Sequence, residues 1–385
     1  MKEHFKYKVV QNLINSGGEI FLVGGCVRDY LMRKNPKDID IIVRLLPLKE
    51  LIFILEQTGK VDLVGESFGV IKYKDEECDL EIALPRKDEL IVGGRGHKGI
   101  QSTSDCMLPL EADLKRRDFK FNSIAMDING EIIDPFNGIQ DIMNGIVSCT
   151  DKDAFVEDPL RIMRALQFAV RFGFEIEKET FDLMLKHKPK LKDITGERKL
   201  IELEKGLNGN ILYFHLLLRN FDEEVFGLKM SSHPLFQQIK TISEFLFSSF
   251  NQYGDYVSSD FFVKKLRIDN KTKDEFDSLM KAFKLLKGSL SNYEKRSHLF
   301  ECLKKTHIVL DCVFFKSTEL NNIIEEFRIG FFPKNMNELD ISGDDLIELG
   351  FEGKEIGDKK KELLQRIFRK EIDNKNLIEL CQKKN

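Results

Sequence analysis

The sequence predicts an α/β N-terminal region followed by helices for most of the remaining chain. Residues 1 to about 147 carry short apolar and β-branched runs near 21–23, 38–43, 61–64, 69–73 and 78–84, around one helical stretch at about 47–58. An Asn-Gly pair at Asn129-Gly130 is the turn signal of a hairpin. From about residue 150 the apolar spacing becomes helical, as in Leu160, Met163, Ala165, Leu166 and Ala169.

Helical periodicity over roughly 6–16 leads into the apolar run Phe21-Leu22-Val23, which ends at Gly24-Gly25. Paired glycines after a strand let the backbone approach a ligand, and the helix start that follows can receive phosphate. Arg28 and Asp29 come next, then Asp38 and Asp40 in a strand reading 38–43. Residues two apart on a strand face the same way, so the two carboxylates are expected to point together. Convergent carboxylates beside a phosphate pocket suit Mg²⁺ and nucleotide chemistry. Alone, Asp-x-Asp is as well a solvated strand end; the Gly-Gly turn about a dozen residues upstream gives it weight. Glu81, in the strand reading 80–84, offers a third carboxylate or a plain strand-edge Glu.

The stretch Arg86 to Asp105 reads as a loop, and its run Gly93-Gly94-Arg95-Gly96-His97-Lys98-Gly99 implies mobility, not burial. A helix is expected from Leu110. It leads into Asp113-Leu114-Lys115-Arg116-Arg117-Asp118-Phe119-Lys120-Phe121-Asn122. Arginine can clamp phosphate bidentately, and a carboxylate can accept from a ribose hydroxyl; the bland alternative is a helix face with i,i+4 ion pairs. Asp134-Pro135-Phe136-Asn137-Gly138 reads as a turn. In Glu157-Asp158-Pro159-Leu160-Arg161-Ile162-Met163-Arg164, helical spacing puts Asp158, Arg161 and Arg164 on one face. A carboxylate beside a guanidinium complements cytosine and adenine, which pair an exocyclic amino donor with a ring-nitrogen acceptor, and rejects guanine and uracil. In isolation the same spacing is an intrahelical ion pair. Thr195 reads as the N-cap of a later helix.

Composition sets limits. At 385 residues the chain can hold two or three domains. A net charge of −4 argues against a generic nucleic-acid binder, so any RNA-binding face must be local. There are 31 Phe and no Trp, so aromatic packing falls to Phe. No apolar run is long enough to span a bilayer, and the N-terminus lacks a signal-peptide pattern, so no membrane partner and a cytoplasmic location are expected. Seven scattered cysteines without a Cys-x-x-Cys pair argue against zinc and disulfide frameworks. Neither a His metal motif nor a Ser/His/Asp elbow is present.

Together these motifs resemble the class II tRNA nucleotidyltransferase/poly(A) polymerase family, bacterial type. Leu22-Val23-Gly24-Gly25 through Asp38-Ile39-Asp40 is similar to its metal-binding signature, Arg116-Arg117-Asp118 to its ribose motif, and Glu157-Asp158-Pro159-Leu160-Arg161 to its base-reading motif. Asp134-Pro135-Phe136-Asn137-Gly138 resembles its hinge, Glu197-Arg198 a motif that stiffens the base-reading helix, and Ile341 to Leu346 part of its tail. Arg33, Lys120, Ser123 and Gln167 depart from the family pattern. The resemblance implies an α/β nucleotidyltransferase (DNA polymerase β-like) head at 1–147, a helical base-recognition neck at 148–205, and helical RNA-binding body (206–335) and tail (336–385). It implies template-independent addition of CCA to tRNA from CTP and ATP, with A-only or poly(A) addition as the alternative. Asp38 and Asp40 would hold Mg²⁺, with Glu81 as a further catalytic carboxylate. Gly24, Gly25, Arg28, Arg117, Asp118, Asn122, Asp158, Arg161 and Arg164 would bind the nucleotide, and the loop Arg86–Asp105 would serve the switch from C to A.

Overall fold

A computed structural model of the chain describes all residues except 65–69, 91–99, 233–238, 240, 251–256, 288–289, 304–317 and 383–385. Two compact units are present, residues 1–228 and 229–385.

The first unit begins with α1 (Lys8–Asn15), whose Val9, Val10 and Leu13 are buried. β1 (Glu19–Val23), α2 (Gly25–Leu31), β2 (Asp40–Arg44), α3 (Leu48–Glu56), β3 (Lys60–Val64), β4 (Val70–Lys74) and β5 (Asp79–Ala83) follow. With β8 (Ala125–Met126) and β9 (Ile132–Ile133) they form a seven-stranded sheet in the order β3-β4-β5-β2-β1-β8-β9. β2 and β5 run parallel and all other neighbours antiparallel. The alternation of side chains along a strand sorts the residues cleanly. Leu22, Ile41, Val43, Ile71, Tyr73, Leu80 and Ile82 pack with α1, α2 and α3 in the main core. Val23, Ile42 and Ala83 turn to the other face, in a smaller cluster with Leu110 and Leu114 of α4 (Leu110–Lys115). Asp40 and Glu81 share that second face by parity.

Three expectations change. The strand starts at Asp40, with Asp38 exposed in the bend before it, because the chain is still turning out of the Asn35-Pro36 segment. The expected loop Arg86–Asp105 has paired arms, β6 (Arg86–Leu90) and β7 (Ile100–Ser104), joined as an antiparallel ladder; its glycine run and His97 lie outside the described residues. Thr195 occupies the N-cap position with extended backbone, but its side chain makes no capping hydrogen bond. The hairpin at Gly130 forms as read, with Gly130 at φ 82°.

Next come α5 (Gly138–Asn144), β10 (Ile146–Val147), α6 (Lys152–Glu157), α7 (Leu160–Phe172), β11 (Glu175–Ile176), α8 (Lys178–His187), α9 (Gly196–Gly206), α10 (Ile211–Leu218) and α11 (Asp222–Val225). The Asp134 carboxylate caps α5, accepting from the Gly138 and Ile139 amides at 2.7 and 2.9 Å. A Cβ on Gly138 would overlap the Lys120 carbonyl, so the helix can sit this close only with glycine there. α7 buries Ile162, Met163, Ala165, Leu166 and Ala169, largely against α9. Both helices therefore hold fixed positions beside the sheet domain.

The second unit holds α12 (Ile242–Phe250), α13 (Ser259–Leu266), α14 (Asn270–Lys287), α15 (Asn292–Leu303), α16 (Thr318–Arg328), α17 (Gly343–Glu348), α18 (Lys354–Phe368) and α19 (Leu377–Gln382). Its core is phenylalanine, with Phe245, Phe247, Phe262 and Phe276 among its most buried side chains. Ser342 and Asp345 cap α17 reciprocally. Among the described residues, no helix is long and apolar enough to cross a membrane.

Candidate active site

The floor of the site is the second face of the sheet. Asp40 is opposite Glu81 in the parallel pair, and Glu81 is opposite Lys72 on β4. The Lys72 ammonium lies 3.4 Å from Glu81 Oε1. Burial pushes the Asp40 carboxyl above its ordinary value; Arg117 opposes this, while Glu81 and Asp38 reinforce it. Negative charge is thus concentrated around a partly buried carboxylate, which a divalent cation would relieve. The donors are hard carboxylate oxygens, and a cation such as Mg²⁺ is satisfied by one or two of them plus water and phosphate. The residues fit that role with two carboxylates: no group of three or more His, Cys, Asp and Glu side chains is gathered to hold a metal among the described residues. Glu81, expected as a third, is turned toward Lys72.

Gly24 has φ 73° and ψ −128°, a conformation that disfavours side chains. A Cβ here would also overlap Nη1 of Arg117. The first glycine of the turn therefore makes room for an arginine, and Gly25, which opens α2, lines the cavity.

Arg117 is placed by Asp113, a residue that sequence reasoning treated only as part of a charged run. The Asp113 carboxylate is fully buried and accepts from Arg116 at 3.0 and 2.6 Å, from Arg117 at 3.2 and 3.1 Å, and from the Arg86 amide at 3.2 Å. Burial alone would raise this carboxyl, but Arg117 and Arg116 outweigh it and hold it below its ordinary value. The i,i+4 pair of the bland reading exists, Asp113 with Arg117, and an i,i+3 pair with Arg116 stands beside it. Asp113 is buried, however, and both guanidinium groups line the cavity.

A second chain of hydrogen bonds joins the sheet domain to α7. Arg28 donates to Asn122 Oδ1 at 2.6 Å, Asn122 Nδ2 to Asp118 Oδ1 at 3.0 Å, and Arg164 Nε to Asp118 Oδ2 at 2.7 Å. Burial pushes the Asp118 carboxyl up, but Arg164, Asn122 and Arg161 together hold it below its ordinary value. Both Asp118 oxygens are engaged, so its first effect is to position Arg164.

Asp158 and Arg161 do not form the expected pair on one helical face. Asp158 precedes α7 with extended backbone, and its Oδ1 caps the helix by accepting from the Leu160 amide at 3.0 Å. Proline at 159 explains this, since it disfavours helical backbone in the residue before it. Asp158 Oδ2 accepts from Arg198 at 3.1 Å. Arg161 donates to the carbonyls of Ala154 and Arg116 at 2.5 and 2.6 Å. Reading the sequence gave Arg198 a stiffening role only through the family resemblance, and nothing local in the sequence pairs it with Asp158.

These side chains enclose a cavity of about 480 Å³. Seven arginines line it (28, 86, 116, 117, 161, 164 and 198) against Asp40, Asp118 and Asp158. So strong an excess of guanidinium selects a polyanion. A second cavity of about 200 Å³, lined by Val23, Ile42, Glu81 and Ala83 among others, shares Asp40, Arg86, Arg116 and Arg117 with the first. Gly24 and Asp38 do not line either cavity.

Residues 20–148 match the family model described as the poly A polymerase head domain, and residues 173–215 that of a probable RNA and SrmB-binding site of polymerase A. The CCA-adding enzyme of Streptococcus mutans is 31% identical over 326 residues, covering 83% of this chain and 77% of the relative. That of Bacillus velezensis is 28% identical over 362 residues, covering 89% and 87%. The fold is similar to that of the Bacillus stearothermophilus CCA-adding enzyme solved with CTP (TM-score 0.64, 23% identity, 100% and 98% coverage). It is also similar to that of the Thermotoga maritima enzyme solved with a tRNA (TM-score 0.68, 22% identity, 97% and 93% coverage). With a glycine turn, two aspartates and two arginine-holding carboxylates in one site, and with relatives matched along most of their length, the chain belongs to the class II CCA-adding enzyme/poly(A) polymerase family.

Proposed function

We propose that this protein adds C, C and A in turn to the 3′ ends of tRNAs, using CTP, ATP and Mg²⁺ and releasing pyrophosphate. The observation that carries the reading is the arginine-lined cavity that includes both Asp40 and Asp158, the latter fixed by the α7 cap and Arg198. The cavity is of nucleotide size and charge, and relatives matched over most of the chain are CCA-adding enzymes.

Asp38 and Asp40 would hold Mg²⁺, which supplies neutralisation of charge at the α-phosphate and makes the RNA 3′-hydroxyl more acidic. The rest is done by this chain's own groups. The Gly25 backbone, Arg28 and Arg117 take phosphate oxygens, with Arg117 already oriented by Asp113. Asp118 and Asn122 hold Arg164 and Arg28 in fixed directions, so little ordering remains when the nucleotide binds. Each Asp158 oxygen keeps a further lone pair for an exocyclic amino group, and Arg161 keeps N–H donors for a ring nitrogen or carbonyl. That pairing accepts cytosine and adenine. The smaller cavity across Asp40 offers its apolar floor to the end of the acceptor RNA.

The test is incubation of the purified protein with tRNA lacking CCA and each nucleoside triphosphate in turn. Addition of C from CTP, and completion of the end when ATP is also present, is the expected result. No incorporation from CTP would overturn the reading, and A addition alone would leave the A-adding or poly(A) activity.

A further inference from the structure

On α7, Phe168 and Phe172 stack with ring centroids 5.4 Å apart and an interplanar angle of 25°. Four cations gather around this pair. Arg164 and Arg28 lie 5.3 and 5.4 Å from the Phe168 ring. Around Phe172, Arg28 lies at 5.0 Å, Lys34 at 4.7 Å and Arg171 at 5.4 Å.

The cations fall into two sets. Arg28 and Arg164 line the nucleotide cavity, and each has a carboxylate partner, Asp29 at 2.6 Å and Asp118 at 2.6 Å. Lys34 and Arg171 lie outside the cavity lining, and among the described residues neither has an ion-pair partner. An aromatic face attracts a cation but leaves its charge uncompensated. Partial desolvation of its guanidinium and the repulsion of Arg28 lower the affinity of Arg171 for a proton, against the pull of Asp29 and Glu202. The excess positive charge therefore grows from the cavity outward along the aromatic pair. Such an arrangement draws an anion away from Arg28.

We propose that Lys34 and Arg171, set about Phe172 beyond Arg28, form an exit site for the pyrophosphate released at each addition. The inference rests on the nucleotidyl-transfer reading above. In that reaction the RNA 3′-hydroxyl gives up its proton to solvent, its oxygen bonds to the α-phosphorus, and the bond from that phosphorus to the bridging oxygen breaks. The bridging oxygen and its electron pair leave with pyrophosphate. That product carries more charge per phosphorus than the bound triphosphate, so unpaired cations next to Arg28 favour it over the substrate. Asp29 and Glu202 act on Arg171 from a distance, but among the described residues neither pairs with it, so the aromatic pair holds the cations without a bound carboxylate.

The experiment titrates inorganic pyrophosphate with excess Mg²⁺ into the full chain by calorimetry, without nucleotide or RNA. Lys34→Met with Arg171→Gln is compared with the wild type and with Arg33→Asn, which removes an exposed neighbouring charge. Both substituted sites are exposed, and equal melting temperatures will establish that the fold is kept. The double variant is expected to weaken pyrophosphate binding about tenfold, with the Arg33 control within about twofold. In CTP incorporation the double variant should show equally weakened inhibition by pyrophosphate and an unchanged KM for tRNA. A raised KM for tRNA with unaltered pyrophosphate binding would make the cations an RNA-backbone contact and overturn the proposal. No change in either would reduce them to cation–π packing and also overturn it. A wild type that fails to use CTP would sink the functional reading, while the pyrophosphate titration would still decide the exit site.

Discussion

The Arg117 guanidinium occupies the space a side chain on Gly24 would need. Arg117 is held there from behind by the buried Asp113. Gly24→Ala is therefore expected to act twice. Its left-handed backbone costs about 1–3 kcal/mol with any side chain, and the methyl group displaces Arg117 from the phosphate side of the cavity. Thermal unfolding should show the first effect and a raised KM for both CTP and ATP the second. A variant with lowered stability but wild-type KM would separate Gly24 from the site.

Removing the carboxylate charge at Asp113 leaves two guanidinium groups without their partner. Asp113→Asn should cost about 3–5 kcal/mol, the range for breaking a buried pair, and should weaken nucleotide binding as Arg116 and Arg117 lose their orientation. Denaturant midpoints and nucleotide titration measure the two effects.

The same carboxyl predicts a pH dependence. Asp113 and Asp118 both titrate below their ordinary value in the folded chain. Their contribution to stability is therefore complete above the unfolded value of 3.8. It is lost as pH falls through the lower folded values. Unfolding free energy should fall with acidification below about pH 4, and Asp113→Asn should flatten that fall. An equal acid slope in wild type and variant would show that other carboxyls carry it.

Asp158 has two separable duties. Asp158→Ala removes the cap of α7, costing about 1 kcal/mol, and removes the acceptor proposed to read the base. Asp158→Asn keeps an oxygen for the Leu160 amide but loses the charge facing Arg198. Both should admit UTP and GTP, while only the alanine variant should lower the melting temperature appreciably. Arg198→Met should weaken discrimination by a smaller margin, about fivefold, because the pair is partly exposed. Unchanged selectivity in all three would remove Asp158 from base reading.

The proposed cation ligands and Glu81 should behave differently. Asp40→Ala, or Asp38→Ala, should lower turnover by about a thousandfold or more, since several kcal/mol of charge stabilisation depend on the cation, with tRNA binding largely kept. Glu81→Gln should cost far less, because Glu81 is turned to Lys72. Equal losses at Glu81 and Asp40 would assign Glu81 to the cation after all.

Much of the site could be read in the sequence because it is local. Strand, Gly-Gly turn and helix succeed one another within residues 19–31, and the alternation of side chains along β2 puts Asp40 opposite in direction to the apolar Ile41. The Asp113 pairs with Arg116 and Arg117 lie within reach of i,i+3 and i,i+4 spacing, although α4 ends at Lys115 and both arginines stand in the turn just past it. What spacing could not reveal was that Asp113 is buried and that both arginines line the cavity. Reading Asp158 and Arg161 as a helical pair failed for a local reason that was visible, the proline at 159. Residues 206–335 offered no motif, since buried phenylalanines specify that helices pack without specifying which ones meet.

The sequence by itself determined the order of elements, the side of the sheet on which Asp40 stands, the helix-borne arginines and the family. Those properties depend on residue periodicity and on motifs contiguous in the chain. Only the tertiary structure decided the partners: Arg28 with Asn122, Asp118 with Arg164, Asp158 with Arg198, and Glu81 between Asp40 and Lys72. Several of these carboxylates and guanidinium groups had other partners of equal chemistry nearby in sequence. The packing of α7 and α9, set by their own buried apolar side chains, chose among them at Asp118 and Asp158, and strand register did so at Glu81.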